Sequence, residues 1–353
     1  MTRVLFLTID LADNSTGRTH VLWQLARHLG WETKVVAAQG ARMWAPLRDS
    51  VFEDDCVVDD DVSTLSPTLI GHAEWADVII AVKPLPGALD RGAELSRLTG
   101  TPLILDVDDP ELDTRLSRHN TVRALAKSVL KAKQYRADMR LFRLARKQTT
   151  IVSNPVLQRT YGGVVIPHAR EDLGAGLPHA SSDPRIVFVG TVRAHKGLGL
   201  LREAVGLLKG EGFTLTVTDT DPGDGESWER WVGSTSFDAG LRLVAEGDIV
   251  VIPSSSRHAY SRAQLPAKII DAMIAARAVV VSDIEPLIWA TGGAGLAFRS
   301  DDVQSLVARL RELRDPVRRQ ALGDAARSRA LEAFTVEACA PALERVVNEI
   351  SRH

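Results

Sequence analysis

Residues 187–197 read VFVGTVRAHKG. An apolar, β-branched run stops at Gly190, a loop carries Arg193, His195 and Lys196, and a helical period opens near Gly197 and runs over Leu198–Leu208. Strand, short loop and helix form the repeating unit of parallel sheets, because a parallel neighbour is reached only by a crossover. The unit recurs downstream. Strands are predicted at Phe213–Thr218, Asp248–Ile252 and Val279–Ser282, and a helix at Ala267–Ala276 behind Pro266. Asp302–Ile350 reads as helical and highly charged. Upstream of the strand at Arg185–Val189, residues 171–184 (EDLGAGLPHASSDP) are rich in Gly, Pro, Ser and Asp and read as a linker. Before it the alternation is seen again, with strands at Arg3–Ile9, Thr33–Ala38, Asp77–Val82, Leu103–Val107, Gln148–Ser153 and Val164–Ile166, and a helix at Thr19–Leu29. The expected fold class is α/β, with two Rossmann-like domains in series over 1–172 and 173–353. The continuous apolar strands imply sheets covered on both faces, with ligand expected at the strand C-termini.

Composition narrows the classes. The chain has 353 residues, 45% hydrophobic and 25% charged, which suggests neither disorder nor a membrane protein. A formal net charge of -2 gives no pull toward nucleic acid. Cys56 and Cys339 lie far apart and in no metal-ligand spacing, which fits a reducing compartment. The run Arg3–Ile9 is followed at once by Asp10 and Asp13, too short and too soon charged for a signal peptide. A cytoplasmic protein is expected. Neither half contains G-x-G-x-x-G, and G-x-x-x-x-G-K-[ST] is absent, which argues against nicotinamide, flavin and P-loop chemistry. No cofactor is expected.

Several segments carry chemistry. Arg193, His195 and Lys196, at a strand end beside a helix N-terminus, suit a diphosphate; a solvated basic loop is the competing account. In QLPAKIIDAMIAARAVVVSD (264–283), Lys268 sits on a first helical turn, where a cation is unfavourable unless an anion is near. Asp271, one turn on, suits a ribose diol; a surface lysine and a capping-region aspartate are the alternative. The loop Asp10–Gly17 (DLADNSTG) offers Asn14, Ser15, Thr16 and Gly17 either as ligand contacts or as an N-cap turn. Asp106, Asp108 and Asp109 crowd one strand end without forming a defined metal site, and no metal is expected. Residues 115–147 hold eleven Lys or Arg against one acid, Asp138, on an amphipathic period marked by Val122, Leu125, Val129, Ala132, Tyr135, Met139 and Phe142. That stretch fits weak contact with an anionic membrane surface, or simply a solvated face. Aromatic residues are too sparse there for a nucleic-acid platform.

These segments resemble the retaining GT-B glycosyltransferases of family four. Its members typically read VGR…KG at the first segment and P-x-K-[LI]-x-E-x-M-A…PVV at the second. The resemblance continues through Gly292–Leu296 (GGAGL) and Phe334–Val336, and in the first half through DVIIAVKP (77–84), PLILDVDD (102–109), TIVSNP (150–155) and VIPH (165–168). It implies two Rossmann-like domains facing across a cleft, with a final helix at about 335–351 returning to the N-terminal domain. It further implies metal-independent transfer of a sugar from a nucleotide-diphosphate sugar to a small-molecule or lipid-linked acceptor. Arg193 and Lys196 would neutralise the leaving diphosphate. Gly17, Gly190, Thr191, His195, Gln264, Leu265, Pro266, Lys268 and Asp271 would bind donor, and Asn14, Thr16 and Arg18 would line the acceptor side. Asp108 and Asp109 would face the sugar. The chain departs from the family pattern in three places: Thr191 stands where an arginine is usual, Ala263 replaces the first of two glutamates, and Asp108-Asp109 replaces a frequent His-Asp. A nucleotide-sugar epimerase or hydrolase, or an inactive sugar-nucleotide-binding protein, answers to the same motifs.

Overall fold

The computed structural model describes residues 1–60, 65–119, 129–190 and 192–352. The chain divides into two compact units, one made of Met1–His168 with Cys339–His353, the other of Ala169–Ala338.

The first unit is built on seven strands: β1 (Arg3–Asp10), β2 (Glu32–Gln39), β3 (Cys56–Val58), β4 (Val78–Val82), β5 (Leu103–Val107), β6 (Thr149–Val152) and β7 (Val164–Val165). Their spatial order is β3-β2-β1-β4-β5-β6-β7, and every pairing is parallel. In this register Phe6 of β1 lies between Val35 of β2 and Ile80 of β4. Helices cover both faces, so β4 and β5 are buried at every residue and read VIIAV and LILDV without alternation. The edge strand β3 has no counterpart in the sequence reading. Its three residues are too short for a period, and Val57 and Val58 are exposed.

The second unit has six parallel strands: β8 (Arg185–Phe188), β9 (Thr214–Val217), β10 (Glu229–Trp231), β11 (Ile249–Ile252), β12 (Ala278–Ser282) and β13 (Leu296–Phe298), in the order β10-β9-β8-β11-β12-β13. Adjacent residues feed two separate cores. Val251 and Val280 pack with Phe188, Leu201 and Leu208, whereas Val250, Val279 and Val281 pack with Ile270 and Met273. Each such fully buried aliphatic side chain contributes about 1.5–3 kcal/mol. β10 and β13 were not anticipated; both are three-residue edge strands.

Two further differences have physical causes. The segment 171–184 is a strap against the second unit rather than a free linker. The Gly176 and Leu177 amides donate to Ala275 O and Ala245 O at 2.9 and 3.0 Å. A Cβ on Gly176 would lie 2.3 Å from Ala245 O, so this glycine serves close approach rather than flexibility. The predicted helix Ala267–Ala276 is shorter, spanning Lys268–Ile274. The charged C-terminal part forms helices at Val303–Glu312, Pro316–Ala333 and Val336–Ile350. Of the basic stretch, helices Glu111–His119 and Val129–Ala145 are described; Arg123 and Lys127 lie outside the described residues. Among the described residues no helix is long and apolar enough to cross a membrane.

Strand order reverses direction between β1 and β4 in the first sheet and between β8 and β11 in the second. Loops leaving the C-terminal ends of such strand pairs diverge to opposite faces and leave a crevice for ligand.

Candidate functional site

In the second unit the loop after β8 runs along that crevice. Gly190 has φ +105°, and its amide donates to Thr218 Oγ1 at 2.8 Å, while the Val192 amide donates to Asp219 Oδ2 at 3.0 Å. The end of β9 therefore holds the loop open. A single 3₁₀ turn, Ala194–Lys196, then leads to Gly197 at φ +71° and the helix Leu198–Leu208. A Cβ on Gly197 would stand 1.8 Å from Pro253 O at the end of β11. The two switch-point loops thus touch backbone to backbone, with the Ser255 amide donating to His195 O at 3.0 Å.

This loop brings together the expected cations. Arg193 is exposed, and His195 and Lys196 are half-buried. Lys268 reaches the same place from its helix: its Nζ lies 3.8 Å from the Phe188 ring centroid, closed off from water and without a hydrogen-bond partner. Burial, with Lys196 adding to it, takes the Lys268 ammonium well below its ordinary range. Burial and then the charges of Lys196, Arg193, His258 and Lys268 bring His195 down to about 4. His195 also packs beside Tyr260, with ring centroids 5.5 Å apart. Like charges that depress one another favour an arriving anion, and a diphosphate has the charge to meet them.

The other donor-side residues divide. Gln264 and Pro266 are half-buried, while the Leu265 side chain is wholly enclosed in the core. Thr191 lies outside the described residues. Asp271 Oδ1 accepts from Arg170 Nε at 2.6 Å, a partner that sequence reasoning missed. The first amides of helix Lys268–Ile274 are taken up locally, Ile269 N by Pro266 O at 3.1 Å and Ile270 N by Ala267 O at 2.9 Å. The side-chain cations, more than a helix terminus, therefore supply the positive charge here.

In the first unit the acids after β5 converge on a residue the sequence reading passed over. Lys83, directly after β4, is 4% exposed and has φ +82°. A left-handed non-glycine residue costs about 1–2 kcal/mol, so the surroundings must enforce it. Its Nζ donates to Asp108 Oδ1 at 2.7 Å and Glu111 Oε1 at 2.5 Å, and lies 3.7 Å from Asp109 Oδ2. Burial works to raise the Asp108 carboxyl, but Lys83, His168 and Arg18 outweigh it and hold it below its ordinary value. Burial dominates at Glu111 and, against the pull of Lys83 and with the charges of Asp109 and Asp108, pushes it up to about 8. A lone lysine ending an apolar strand, in AVKP, is the signal that could have found this cluster.

The loop after β1 is closed on itself. Thr16 Oγ1 donates to Asp10 O at 2.6 Å and the Ser15 amide to Asp13 Oδ1 at 2.6 Å, leaving Asn14 exposed and Gly17 half-buried. Arg18, expected on the acceptor side, is instead interior: its side-chain exposure is 0%, as is that of Asp106, which it meets at 2.7 Å. Its remaining N–H groups donate to Pro167 O at 2.9 Å and Ile166 O at 2.8 Å. A guanidinium so enclosed organises the strand ends and presents no charge to a ligand.

Residues 183–315 match the family model described as Glycosyl transferases group 1. No curated protein matches the chain. The structure is similar to that of Anabaena HepE, solved in complex with UDP-glucose, with a TM-score of 0.72 and 16% identity over 100% of both chains. It is also similar to a sucrose-phosphate synthase from Thermosynechococcus elongatus, with a TM-score of 0.70 and 15% identity over 99% of each chain. A glycosyltransferase from Rickettsia africae gives 0.68 and 13% over 99% of this chain and 98% of its own. Identities this low speak for the fold alone. The chain has the two-sheet GT-B architecture, and its residues 183–315, which hold the cationic loop, carry the group 1 glycosyltransferase pattern.

Proposed function

We propose that the protein is a glycosyltransferase that moves a sugar, with retention and without a divalent metal, from a nucleotide-diphosphate sugar to a small-molecule or lipid-linked acceptor. The observation that carries this reading is the group of Arg193, Lys196 and the partnerless Lys268 amine at the switch point of the second sheet, inside the segment that matches the family model. Transfer requires the leaving diphosphate to hold growing negative charge. Arg193 and Lys196 would meet it, with Lys268 taking up a proton as the anion arrives. Asp271, oriented by Arg170, is the candidate for the ribose hydroxyls. Positive charge grows on the anomeric carbon, and the family glutamate that usually stands close is Ala263 here. Asp108, with Asp109 beside it, is the carboxylate we assign to that charge. Asn14 and Gly17 remain candidates for acceptor and donor contacts in the first unit; Thr16, fully buried with its hydroxyl on Asp10 O, is interior like Arg18. A cytoplasmic enzyme, in weak contact with an anionic membrane surface through the basic helices, fits the exposed cations Lys133, Arg136, Arg140 and Arg143.

The deciding experiment is a thermal-shift and calorimetric panel of nucleoside diphosphates and their sugars on wild-type protein and Lys196→Ala. A ligand at 100 times its Kd stabilises by about 2.7 kcal/mol. The variant should lose about 1.5–3 kcal/mol of nucleotide affinity. Unchanged affinity sinks the diphosphate assignment. Asp108→Asn should lower kcat about tenfold or more at unchanged nucleotide affinity, in protein that remains folded at the assay temperature although Lys83 has lost one acceptor. Turnover should persist in EDTA; loss that Mg²⁺ restores would overturn the metal-independent account. Product analysis with and without acceptor separates transfer from hydrolysis or epimerisation.

A further inference from the structure

β4 is buried throughout, and the chain leaves it through an ammonium rather than an apolar side chain. Lys83 adopts φ +82° immediately before Pro84, where an extended backbone is the usual preference. The strained backbone turns the side chain toward the acids after β5. One oxygen from each of Asp108, Asp109 and Glu111 lies within 3.7 Å of Nζ. Ligand atoms of the same three acids fall within 4.8 Å of one another, a spacing that a divalent cation would also satisfy. Lys83 supplies the positive charge there itself.

The neighbouring groups make this arrangement directional. Asp106, one residue before the end of β5, is neutralised by Arg18 from helix Thr16–His28 and leaves Lys83 to the other acids. His168, from the segment after β7, adds to the field that favours a charged Asp108. Ser153, after β6, donates to Asp108 O at 2.7 Å and fixes the main chain behind the carboxylate. Glu111, from helix Glu111–His119, holds Lys83 on its far side, and its Oε2 is buried without a partner. The helix Thr16–His28, the ends of β6 and β7 and the helix Glu111–His119 thus bear on where Lys83 and Asp108 stand.

We propose that Lys83 is a positioning residue of the transfer reaction: an internal ammonium that fixes Asp108 in place and in its charged form, doing the work a bound divalent cation would otherwise do in this cluster. The inference rests on the reading of Asp108 as the carboxylate that serves the donor sugar. Lys83 does not itself touch substrate in this account.

The test is steady-state kinetics over a pH series for Lys83→Met, Lys83→Arg and the double variant Lys83→Met/Glu111→Gln, which removes one carboxylate along with the ammonium and so guards against a charge-driven failure to fold. Lys83→Met is expected to lower kcat about tenfold or more while KM for the nucleotide sugar stays within about twofold. The acidic limb of its kcat profile should move up by about one pH unit, because Asp108 has lost its counter-ion. Lys83→Arg should recover part of kcat and return the limb toward wild type. A Lys83→Met or double variant with wild-type kcat and an unmoved acidic limb overturns the proposal, as does a loss of turnover matched by an equal rise in KM. Asp108→Asn distinguishes the two readings. If it turns over normally, the assignment of Asp108 fails and Lys83 falls with it; if it is inactive while Lys83→Met is normal, only the Lys83 proposal fails.

Discussion

Lys268 Nζ stands 3.8 Å from the centre of the Phe188 ring, shut off from water and bonded to nothing, in a site that also holds Lys196. The aromatic face attracts a cation only modestly, about 0.5–2 kcal/mol, which does not replace a hydration shell. Burial and Lys196 therefore work against the charged form of the amine, and an arriving anion would favour it. Nucleoside-diphosphate binding should take up a proton at this position. Calorimetry in buffers of different ionisation enthalpy should show more proton uptake on binding in the wild type than in Lys268→Met. Equal uptake in both would remove Lys268 from the site.

Gly197 and Gly190 both have positive φ, yet they should respond differently to alanine. A Cβ at Gly197 meets Pro253 O at 1.8 Å, whereas nothing lies within 4 Å of one at Gly190. Gly190→Ala carries only the backbone penalty, about 1–2 kcal/mol. Gly197→Ala must in addition push the two switch-point loops apart. It should lose more stability than Gly190→Ala and most of its nucleotide affinity. Similar melting temperatures for the two variants would count against this packing.

Asp248 anchors the opposite end of the second sheet. Its carboxylate, with a fully buried side chain, accepts from the Arg185 amide and Nε at 2.9 Å each, and His179 Nδ1 lies 3.7 Å away. Burial would raise its pKa, but His179 and Arg185 outweigh it and depress the group strongly. A depressed folded pKa contributes stability that is fully present above the ordinary carboxylate range, near 3.9, and is lost as pH falls below it. Asp248→Asn should destabilise by about 1–3 kcal/mol at neutral pH, because the half-exposed Arg185 loses its charged acceptor and the buried Arg277 a neighbouring negative charge. The difference from wild type should shrink in melts below about pH 4. A constant difference across pH would show that charge is not the cause.

The helix Val129–Ala145 turns Lys133, Arg136, Arg140 and Arg143 outward, and buries Asp138, Leu141 and Ala145. At about 100° per residue the four cations fall within one quarter of the helix surface. Near an anionic surface each adds about 1 kcal/mol, screened over a Debye length of about 8 Å at physiological salt. Binding to vesicles rich in phosphatidylglycerol should be measurable at low salt and lost as salt rises, and charge reversal of Arg136 and Arg140 should abolish it. Absence of binding at low salt would leave these cations as a solvated face.

The strand-and-helix alternation, the two sheets and the cationic loop after β8 were legible in the amino-acid order. Each follows from chain-local rules: apolar runs of strand length, helical periods, and glycines where only positive φ fits. The three-residue strands β3, β10 and β13 escaped because a period needs more residues than they possess. Which charges pair in the interior emerges from the folded chain. Arg18 and Asp106 are 88 positions apart, and Lys83 and Asp108 are 25 apart, so neither pairing has a local signature. Burial then separates their roles, because a low-dielectric interior forces charges to find partners while the surface does not. Arg18 became structural and Asp271 was tied to Arg170 for that reason, whereas Lys268 is the exception, buried without a hydrogen-bond partner.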